Sequence, residues 1–455
     1  MNRINALLVT GLVLLGTSTF CHAGTIDSLI LNHEVSAANF FGTNARSMAM
    51  GQTGIATSLD GSAMIYNPAC LAKVRRLEVR GGVSHLRLEN TTKYDGGRYP
   101  EYGLTSVAST GRRDVTKTHL DGLSVVVPAP TYRGSLVFGF GVHRLKNFDR
   151  TFKMNLRDQA GEYDFIEEQQ TETESGGIYA WSGAGAIEIS PQMAVGAGIN
   201  VYTGKAEYSA KYMFAEQYEN EVQDTVYYEL DETTGIELDH IGISGSVGFT
   251  YQASPNLTIG AVIETPSFWN IDEESLVQTA EIYDTSSSSW YWEEQWPEDY
   301  ASVEYKLRHP FSFGLGAGFS HEQLNLALDL KYTDWSQMEY TDEFSQDLNA
   351  VIQEHYKEVV EVRFGAEYVL PDPGISLRVG YFLDPLPFPS AYIESDRKYF
   401  TFGVGFLIDQ VMTIDIAAVI GGYTINYKNV EEYDPPPYTE EYKTRRIYLT
   451  MAYRM

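Results

Sequence analysis

Segments in which apolar and polar residues strictly alternate recur along most of this chain. Between residues 324 and 332 every second side chain is Leu or Tyr, and the residues between them are Asn, Ala, Asp and Lys. Neighbours on one face of a helix lie three or four positions apart, so a period of two indicates a β-strand. The same pattern recurs at 136–142, 375–381 and 400–408. The chain is therefore predicted to consist mainly of β-strands.

Counting these segments predicts fourteen strands. They cover 77–88, 118–127, 134–145, 177–189, 193–214, 238–253, 257–266, 301–320, 324–333, 357–370, 375–383, 397–408, 411–424 and 445–455. The eighth contains His309-Pro310. Because Pro has no N–H to donate to a ladder, this segment is either one strand with a bulge or two strands.

The connections alternate in length, in phase with the strands. After even-numbered strands they are PAPTYR, SPQ, SPN, HEQ, PDPG and DQ. After odd-numbered strands they are long and mostly acidic, and they cover 89–117, 146–176, 215–237, 267–300, 334–356, 384–396 and 425–444. Tight periplasmic turns and long extracellular loops are typical of outer-membrane barrels. The sequence thus predicts an all-β fold, a 14-stranded antiparallel transmembrane β-barrel. A large secreted two-sheet protein with one solvated face per strand remains the alternative.

The N-terminus and the charge balance fit an exported protein. Arg3, the apolar residues 6–16 and the small-x-small motif at Ala23 predict a signal peptide over 1–23. Lys and Arg number 33 against 61 Asp and Glu, a net charge of −28 that disfavours a nucleic-acid partner. After processing only Cys70 would remain, so no internal disulfide is expected. The expected location is the bacterial cell outer membrane.

The last predicted strand supports this location. Ile447, Leu449, Met451, Tyr453 and Met455 alternate up to the C-terminus. Bacterial outer-membrane barrels commonly end in such a strand, with an aromatic residue at the third-last and last positions. Tyr453 fits that pattern, and Met455 departs from it.

The small-residue segment before the first strand carries a family resemblance. Phe40-Phe41-Gly42, Ala49-Met50-Gly51, Asp60-Gly61-Ser62-Ala63 and Tyr66-Asn67-Pro68-Ala69 follow one another there. Their order resembles the N-terminal hatch of the FadL/TodX outer-membrane transport family, and the stretches 254–266, 331–336 and 363–387 are also similar to it. The resemblance implies that 24–76 form a hatch that plugs the lumen of a barrel formed by 77–455.

The resemblance also implies a function. Members of this family take up hydrophobic compounds passively, such as long-chain fatty acids or aromatic hydrocarbons. The ligand first lodges among extracellular loops, then moves beside the hatch, and leaves sideways through a kink in the third strand. The expected partners are a hydrophobic small molecule, outer-membrane lipid and lipopolysaccharide. A monomer without catalytic residues, metal or cofactor is expected.

Candidate ligand and gate residues follow from these placements. The proposed ligand-binding residues are Phe40, Phe41, Met48, Met50, Ile55, Ile65, Tyr66, Phe268 and Trp269. The proposed gate consists of Asn67, Pro68, Ala69, Gly139 and Gly141, with the two glycines of the third strand facing the Asn-Pro-Ala element. Each set has a structural alternative. The hatch residues could form the packed core of the plug, the aromatic residues of 267–300 a membrane girdle, and the glycines could simply make room for the plug.

Two other functions stay open at this point. A structural or secretion-associated barrel would have a sealed wall and a flat apolar extracellular face. A membrane-embedded lipid hydrolase would need a Ser-His pair at the outer membrane boundary. A continuous tunnel from 267–300 past the hatch to a gap in the wall would favour transport.

Overall fold

A computed structural model describes residues 42–99, 104–159, 165–219, 225–285, 290–295, 299–342, 348–387, 393–426 and 438–455. These residues form one antiparallel sheet that closes on itself, because the last strand pairs with the first along its whole length. The predicted signal peptide, Phe40 and Phe41 lie outside the described residues. No helix among the described residues is long and apolar enough to cross a membrane.

The barrel has the fourteen predicted strands, numbered here in chain order. They are β1 Glu78–Tyr94, β2 Ser109–Ala129, β3 Leu136–Asn147, β4 Phe165–Ser190, β5 Met193–Glu219, β6 Thr225–Ser254, β7 Leu257–Glu264 and Ser267–Thr285, β8 Asp299–His309 and Ser312–His321, β9 Leu324–Asp334, β10 Glu358–Leu370, β11 Ile375–Asp384, β12 Ile393–Ile408, β13 Met412–Asn426 and β14 Tyr438–Arg454. Each strand pairs with its sequence neighbours. The break at Pro310 in β8 was expected, and the break at Pro266 in β7 was not.

The two faces of the wall differ as the alternation predicts. Along β9, Leu328 and Leu330 are exposed on the outer face, whereas Ala327 and Asp329 are buried on the inner face. The outer residues of β14 from Ile447 to Tyr453 are likewise apolar and exposed, and its inner residues include buried Thr444. An apolar outside and a polar inside is the order that a lipid environment requires and a soluble barrel reverses.

Several strands run far beyond their predicted ends. β6 begins at Thr225 rather than 238, and β7 resumes at Ser267 within the segment predicted as a loop. About ten residues suffice to span a membrane in a tilted strand, so the excess length extends the hairpins beyond it. These extensions were not predicted from the sequence because their residues are acidic and lack a clear apolar face.

Shorter elements fill the loop end of the barrel. The loop strands are Gly97–Tyr99, Leu104–Ser106, Arg150–Gln159, Trp290–Gln295 and Glu339–Tyr340, and a helix covers Leu348–His355. An apolar cluster forms where these elements meet the inner wall. Its buried members include Phe148, Ile178, Trp269, Ile271, Leu307, Met338, Tyr340, Ile352, Leu386 and Tyr442.

Residues 42–76 precede β1 and lie inside the ring of strands. This N-terminal segment contains the helices α1 (Ala45–Ala49) and α2 (Ala63–Tyr66), followed by a 3-10 helix over Pro68–Lys73. Asn67 caps the 3-10 helix, since its side-chain oxygen accepts a hydrogen bond from Ala69 N at 3.0 Å. Pro68 occupies the first helical position, where its missing N–H removes no helical bond. The small-residue sequence thus becomes a series of short capped turns.

Polar contacts attach the N-terminal segment to several strands. Asp329 of β9 accepts hydrogen bonds from Gly54 N at 2.6 Å and Ile55 N at 2.9 Å. Arg46 forms an ion pair of 3.2 Å with Glu367 of β10. Similar bonds reach Thr401 of β12 and Thr450 of β14. The segment is therefore bonded to the wall rather than merely enclosed by it.

Candidate functional site

A cavity of about 180 Å³ lies between the N-terminal segment and the inner wall. Ile55, Ile65 and Tyr66 of the segment line one side of it. Residues of the wall line the rest, among them Tyr202, Ser246, Trp269, His309 and Trp335. A cavity of about 150 Å³ in another protein can hold benzene, so this volume is large enough for one aromatic ring or a short stretch of alkyl chain.

Aromatic rings form the most ordered part of the cavity wall. Trp269 of β7 stacks on Tyr202 of β5 with ring centroids 4.8 Å apart and an angle of 17°. The His309 ring lies 5.5 Å from the Trp269 ring, measured between centroids, at an angle of 40°. The Trp269 indole donates a hydrogen bond of 2.7 Å to Ser267 Oγ, which fixes its orientation. This arrangement presents flat apolar surface to a ligand.

Most charged side chains at the cavity are paired with each other. Lys331 bonds Glu264 at 2.8 Å, Asp384 bonds Arg397 at 3.0 Å, and Arg363 pairs with Glu361. Lys146 differs from these. Its Nζ is buried, and no hydrogen-bond acceptor among the described residues bonds it.

The Nζ atom of Lys146 lies 6.0 Å from the centroid of the Trp269 ring. A buried ammonium without an anion is unfavourable, and a ring at this distance compensates only part of the lost hydration. The cavity therefore combines an aromatic surface with a buried amine that no acceptor among the described residues bonds.

The cavity lies next to the point where the hydrogen-bonded ladder between β2 and β3 ends. The β2–β3 ladder extends only from Ala129 and Leu136 to Gly122 and His143. At that height β2 has a bulge at Asp121.

β3 has its own irregularity just beyond this point. The β3–β4 register shifts between Arg144 and Lys146, and the strand stops at Phe148 before it resumes at Arg150. Leu145, within the shift, lines the cavity. The third strand is thus irregular where the wall loses its pairing.

The predicted ligand-binding residues separate into two groups. Ile55, Ile65, Tyr66 and Trp269 line the cavity. Met48 and Met50 do not. Met48 is fully buried in a cluster with barrel residues such as Phe382, as the packed-core alternative expects, and Phe268 is 55% exposed on the outer face. Phe268 and Trp269 are adjacent residues of a strand, so alternation forces them to opposite faces.

The nearest neighbours of the two proposed gate glycines, Gly139 and Gly141, differ from the expected Asn-Pro-Ala element. A Cβ added to Gly139 would meet Met64 Sδ at 2.9 Å and Leu71 Cδ1 at 3.3 Å, and one added to Gly141 would meet His143 at 2.8 Å. The nearest neighbours of these glycines are thus Met64, Leu71 and His143 rather than Asn67-Pro68-Ala69. Strand neighbours far along the chain decide this placement, and local sequence does not report them.

The Asn-Pro-Ala element instead packs on β5 and β6. A Cβ on Gly196 would lie 2.5 Å from Ala69 N, and one on Gly248 would lie 1.9 Å from Asn67 Oδ1. Asn67 Nδ2 lies 2.7 Å from Ile55 O, 3.1 Å from Phe249 O and 3.3 Å from Ala261 O. Only glycine lets the two backbones approach this closely.

Two groups of the N-terminal segment are kept neutral by burial. Burial raises the pKa of Tyr66 to about 12, and its hydroxyl donates a hydrogen bond of 3.1 Å to Ser47. Burial also raises the pKa of the Cys70 thiol to about 11. Tyr66 therefore offers the cavity a neutral phenol, and Cys70 is a small packed residue.

Three cavity residues, Lys146, Tyr202 and His309, were not predicted from the sequence. The alternation of β5 would have placed Tyr202 on the inner face. Lys146 lies just beyond the predicted end of β3, after a bulge that has no local signature. The sequence singles out six aromatic residues in 267–300, and only Phe268 and Trp269 among them can be placed. The side chains of Trp290, Tyr291, Trp292 and Trp296 lie outside the described residues.

Closure of fourteen strands, an apolar exterior, and a luminal segment beside a cavity define a class of outer-membrane barrel with an occupied lumen. The chain belongs to the family described as outer membrane protein transport protein (OMPP1/FadL/TodX), whose sequence profile matches residues 33–454. Its location is accordingly the outer membrane, and its family transports hydrophobic compounds. A comparison with curated proteins found no match.

Solved structures share this fold at low sequence identity. The P. putida toluene transporter TodX is 12% identical with a TM-score of 0.52, and the alignment covers 91% of this chain and 99% of that one. A Pseudomonas aeruginosa FadL homologue is 12% identical with a TM-score of 0.53 over 91% and 99%. The CymD monoaromatic hydrocarbon channel is 14% identical with a TM-score of 0.52 over 92% and 99%.

Proposed function

We propose that this protein is a passive channel that takes up hydrophobic compounds of monoaromatic size or narrow alkyl chains through the outer membrane. The observation that carries the proposal is the cavity between the N-terminal segment and the aromatic wall. The luminal segment acts as a hatch that closes the direct path to the periplasm. Family membership favours transport over the scaffold and hydrolase alternatives.

The exit route that fits best is lateral, between β2 and β3. The ladder between these strands stops at Gly122 and His143, and the cavity reaches Leu145 just beyond that point. Opening the wall there breaks no ladder hydrogen bond of the described residues. An apolar solute released sideways enters hydrocarbon, where each buried CH₂ is favoured by about 0.8 kcal/mol relative to water.

Lys146 bears on which hydrophobic compounds are taken up. Its Nζ would donate a hydrogen bond to the carboxylate of a ligand, and a charge-assisted bond contributes about 1.5–3 kcal/mol. This supports fatty acids or aromatic carboxylates. Neutral aromatic hydrocarbons remain the second candidate, supported by the stacked Trp269 and Tyr202 rings and by the fold shared with hydrocarbon channels.

Blocking the cavity tests the proposed path. Ser246 of β6 is buried and lines the cavity, while the next residue, Val247, is 58% exposed on the outer face. A Phe ring at this position would occupy space that a ligand needs, so Ser246→Phe is expected to lower uptake of toluene and oleate by about tenfold in cells without another family member. Val247→Phe is the matched control and should leave uptake unchanged. Heat-modifiable gel mobility checks that both variants form barrels. Equal uptake by the two variants would refute a path through this cavity.

Lys146→Met separates the two ligand classes. If the ammonium binds a carboxylate, uptake of oleate and benzoate at limiting concentration should fall by about tenfold while uptake of toluene is retained. Lys146→Arg keeps the charge and should preserve the preference for carboxylates. A parallel change for all three compounds would leave transport standing but contradict recognition of a carboxylate.

A further inference from the structure

The outer face of β14 and β1 changes from apolar to cationic at one height. On β14 the outward residues Ile447, Leu449, Met451 and Tyr453 are exposed and apolar, and the next outward residues toward the loops are Arg445 and Lys443. On β1, Val79 and Val83 are followed on the same face by His85 and Arg87. Because the long connections mark the extracellular side, this step lies where the hydrocarbon of the outer leaflet gives way to its headgroups.

Strand register places two of these cationic residues directly opposite each other on neighbouring strands. Arg87 of β1 is the cross-strand partner of Arg445 of β14. On its other side Arg445 faces Ile420 of β13, which is 51% exposed. Like charges directly opposite each other on one face of a sheet repel, so this pair favours an anion between or above the two guanidinium groups.

Arg445 stands out among the cations of this surface. Arg87 has Asp114 at 3.0 Å, Lys443 has Glu441 at 2.9 Å, and Arg112 has Glu89 at 2.7 Å. No carboxylate of the described residues lies within 4.0 Å of Arg445.

The positive charge of this surface contrasts with the negative charge of the rest of the chain. The net charge is −28, and the extended hairpins elsewhere are acidic, as with Asp272 and Glu274 of β7. Such a molecule repels anionic headgroups in general, so a local cationic surface has to supply any attraction. We define the cationic surface as Arg87, Lys443 and Arg445.

We propose that the cationic surface binds a phosphate group of lipopolysaccharide, with its acyl chains along the apolar residues below. A guanidinium group matches phosphate oxygens in bidentate geometry, and Arg445 can bind a phosphate in this way. Arg87, which is paired with Asp114 at 3.0 Å, adds positive charge directly opposite. Ile447, Leu449 and Met451 continue directly below Arg445 and offer the apolar surface that the acyl chains need. The outer leaflet of this membrane supplies such a phosphorylated glycolipid. This inference is independent of the proposed transport function.

The test compares the lipopolysaccharide retained after extraction and purification of the full-length protein in detergent. The variants are Arg445→Gln, the double variant Arg87→Gln with Arg445→Gln, and Arg445→Lys. Lys205→Gln is the matched control, because Lys205 lies on the outer face of β5 and is paired with Asp239 at 3.2 Å. Bound lipid is quantified by mass spectrometry per folded barrel, as judged by heat-modifiable mobility.

The wild type and Lys205→Gln should retain similar amounts of lipopolysaccharide, and the double variant about tenfold less. Arg445→Lys should retain more than Arg445→Gln. Added lipid A should compete in its bisphosphorylated form and not after removal of its phosphates. Equal retention by the double variant and the control would overturn the proposal. Equally effective competition by phosphatidylglycerol vesicles would also overturn it, since the surface would then take any anionic lipid.

Discussion

The N-terminal segment meets the barrel wall in two different ways. Toward β5 and β6 its backbone lies against Gly196 and Gly248 with no space for a Cβ, and Asn67 bonds carbonyls of β6 and β7. Toward β3 it presents the side chains of Met64 and Leu71 to Gly139. The first contact is made by backbone and several hydrogen bonds. The second is made mainly by apolar side chains, with one hydrogen bond of 2.7 Å from Ser135 Oγ to Ala72 O.

This difference shows where a ligand could pass without displacing the segment. Moving the backbone off β5 and β6 would break the bonds of Asn67 and leave polar groups buried without partners. Moving Met64 aside requires its buried side chain to repack against neighbours such as Val126 and Val137, and methionine adapts its shape easily. The β3 side is also where the wall loses its ladder, at His143. A stationary hatch with one soft side is therefore the account we propose.

The largest expected effect on the N-terminal segment comes from removing the hydrogen bonds that attach the Asn-Pro-Ala element to the wall. Replacing Asn67-Pro68-Ala69 with Gly-Ser-Gly removes the cap and the bonds from Asn67 to three carbonyls, and we expect the segment to be destabilised by about 2–4 kcal/mol. Barrel assembly should persist by heat-modifiable mobility, and uptake of toluene and oleate should change. If uptake of both compounds matched the wild type, the hatch would have no gating role.

A pair of glycine substitutions tests the contrast more finely. In Gly196→Ala the new Cβ would lie 2.5 Å from backbone atoms of Pro68 and Ala69, so we expect a loss of about 1–3 kcal/mol from overpacking. In Gly139→Ala it would meet the side-chain end of Met64, which can shift, and the change should stay below about 1 kcal/mol. Urea titration in lipid vesicles measures both. A larger loss for Gly139→Ala would reverse the assignment of rigid and soft sides.

The smallest expected effect depends on pH. Burial tends to raise the pKa of Asp60, but Arg80 at 2.8 Å and hydrogen bonds from Ser62 outweigh it, so the pKa lies below its usual value of 3.8. A lowered pKa stabilises the folded segment fully above pH 3.8, and this stabilisation disappears as the pH falls through the folded value. Protection of the segment from acid-active protease should therefore be constant from about pH 7 to 5 and fall below about pH 4. Asp60→Asn should weaken protection at neutral pH and flatten this dependence; an unchanged profile would exclude Asp60 as an anchor.

The sequence predicts the barrel well because its evidence is local. Alternation along 324–332 or 400–408 reports which side chains face lipid, whatever strand lies beside them. Alternation also places Trp269 inside once the strand, rather than a loop, is recognised there. The short turns and long loops then settle the strand count.

The site is harder to predict because it depends on register between distant strands. The bulges at Asp121 and Leu145 have no sequence signature, yet they end the β2–β3 ladder and bring Lys146 to the cavity. The Asn-Pro-Ala motif predicts a capped turn, but only the closed barrel shows that β5 and β6 receive it. Gly139 and Gly196 are both inward glycines of strands, and nothing local distinguishes their partners.

Linking the N-terminal segment by a disulfide bond to either β5 or β3, one strand at a time, tests the central claim most directly. In a Cys70→Ser background, Ala69→Cys with Gly196→Cys would tie the segment to β5, and Leu71→Cys with Gly139→Cys would tie it to β3. Disulfide formation is verified on non-reducing gels, and toluene and oleate uptake is measured before and after reduction. The added Cβ at Gly196 is present in both the oxidised and the reduced form, so each stapled variant is compared with its own reduced form. A stationary hatch with a soft β3 side predicts that reduction leaves uptake unchanged with the β5 staple and restores lost uptake with the β3 staple. Normal uptake with the β3 staple and blocked uptake with the β5 staple would contradict it.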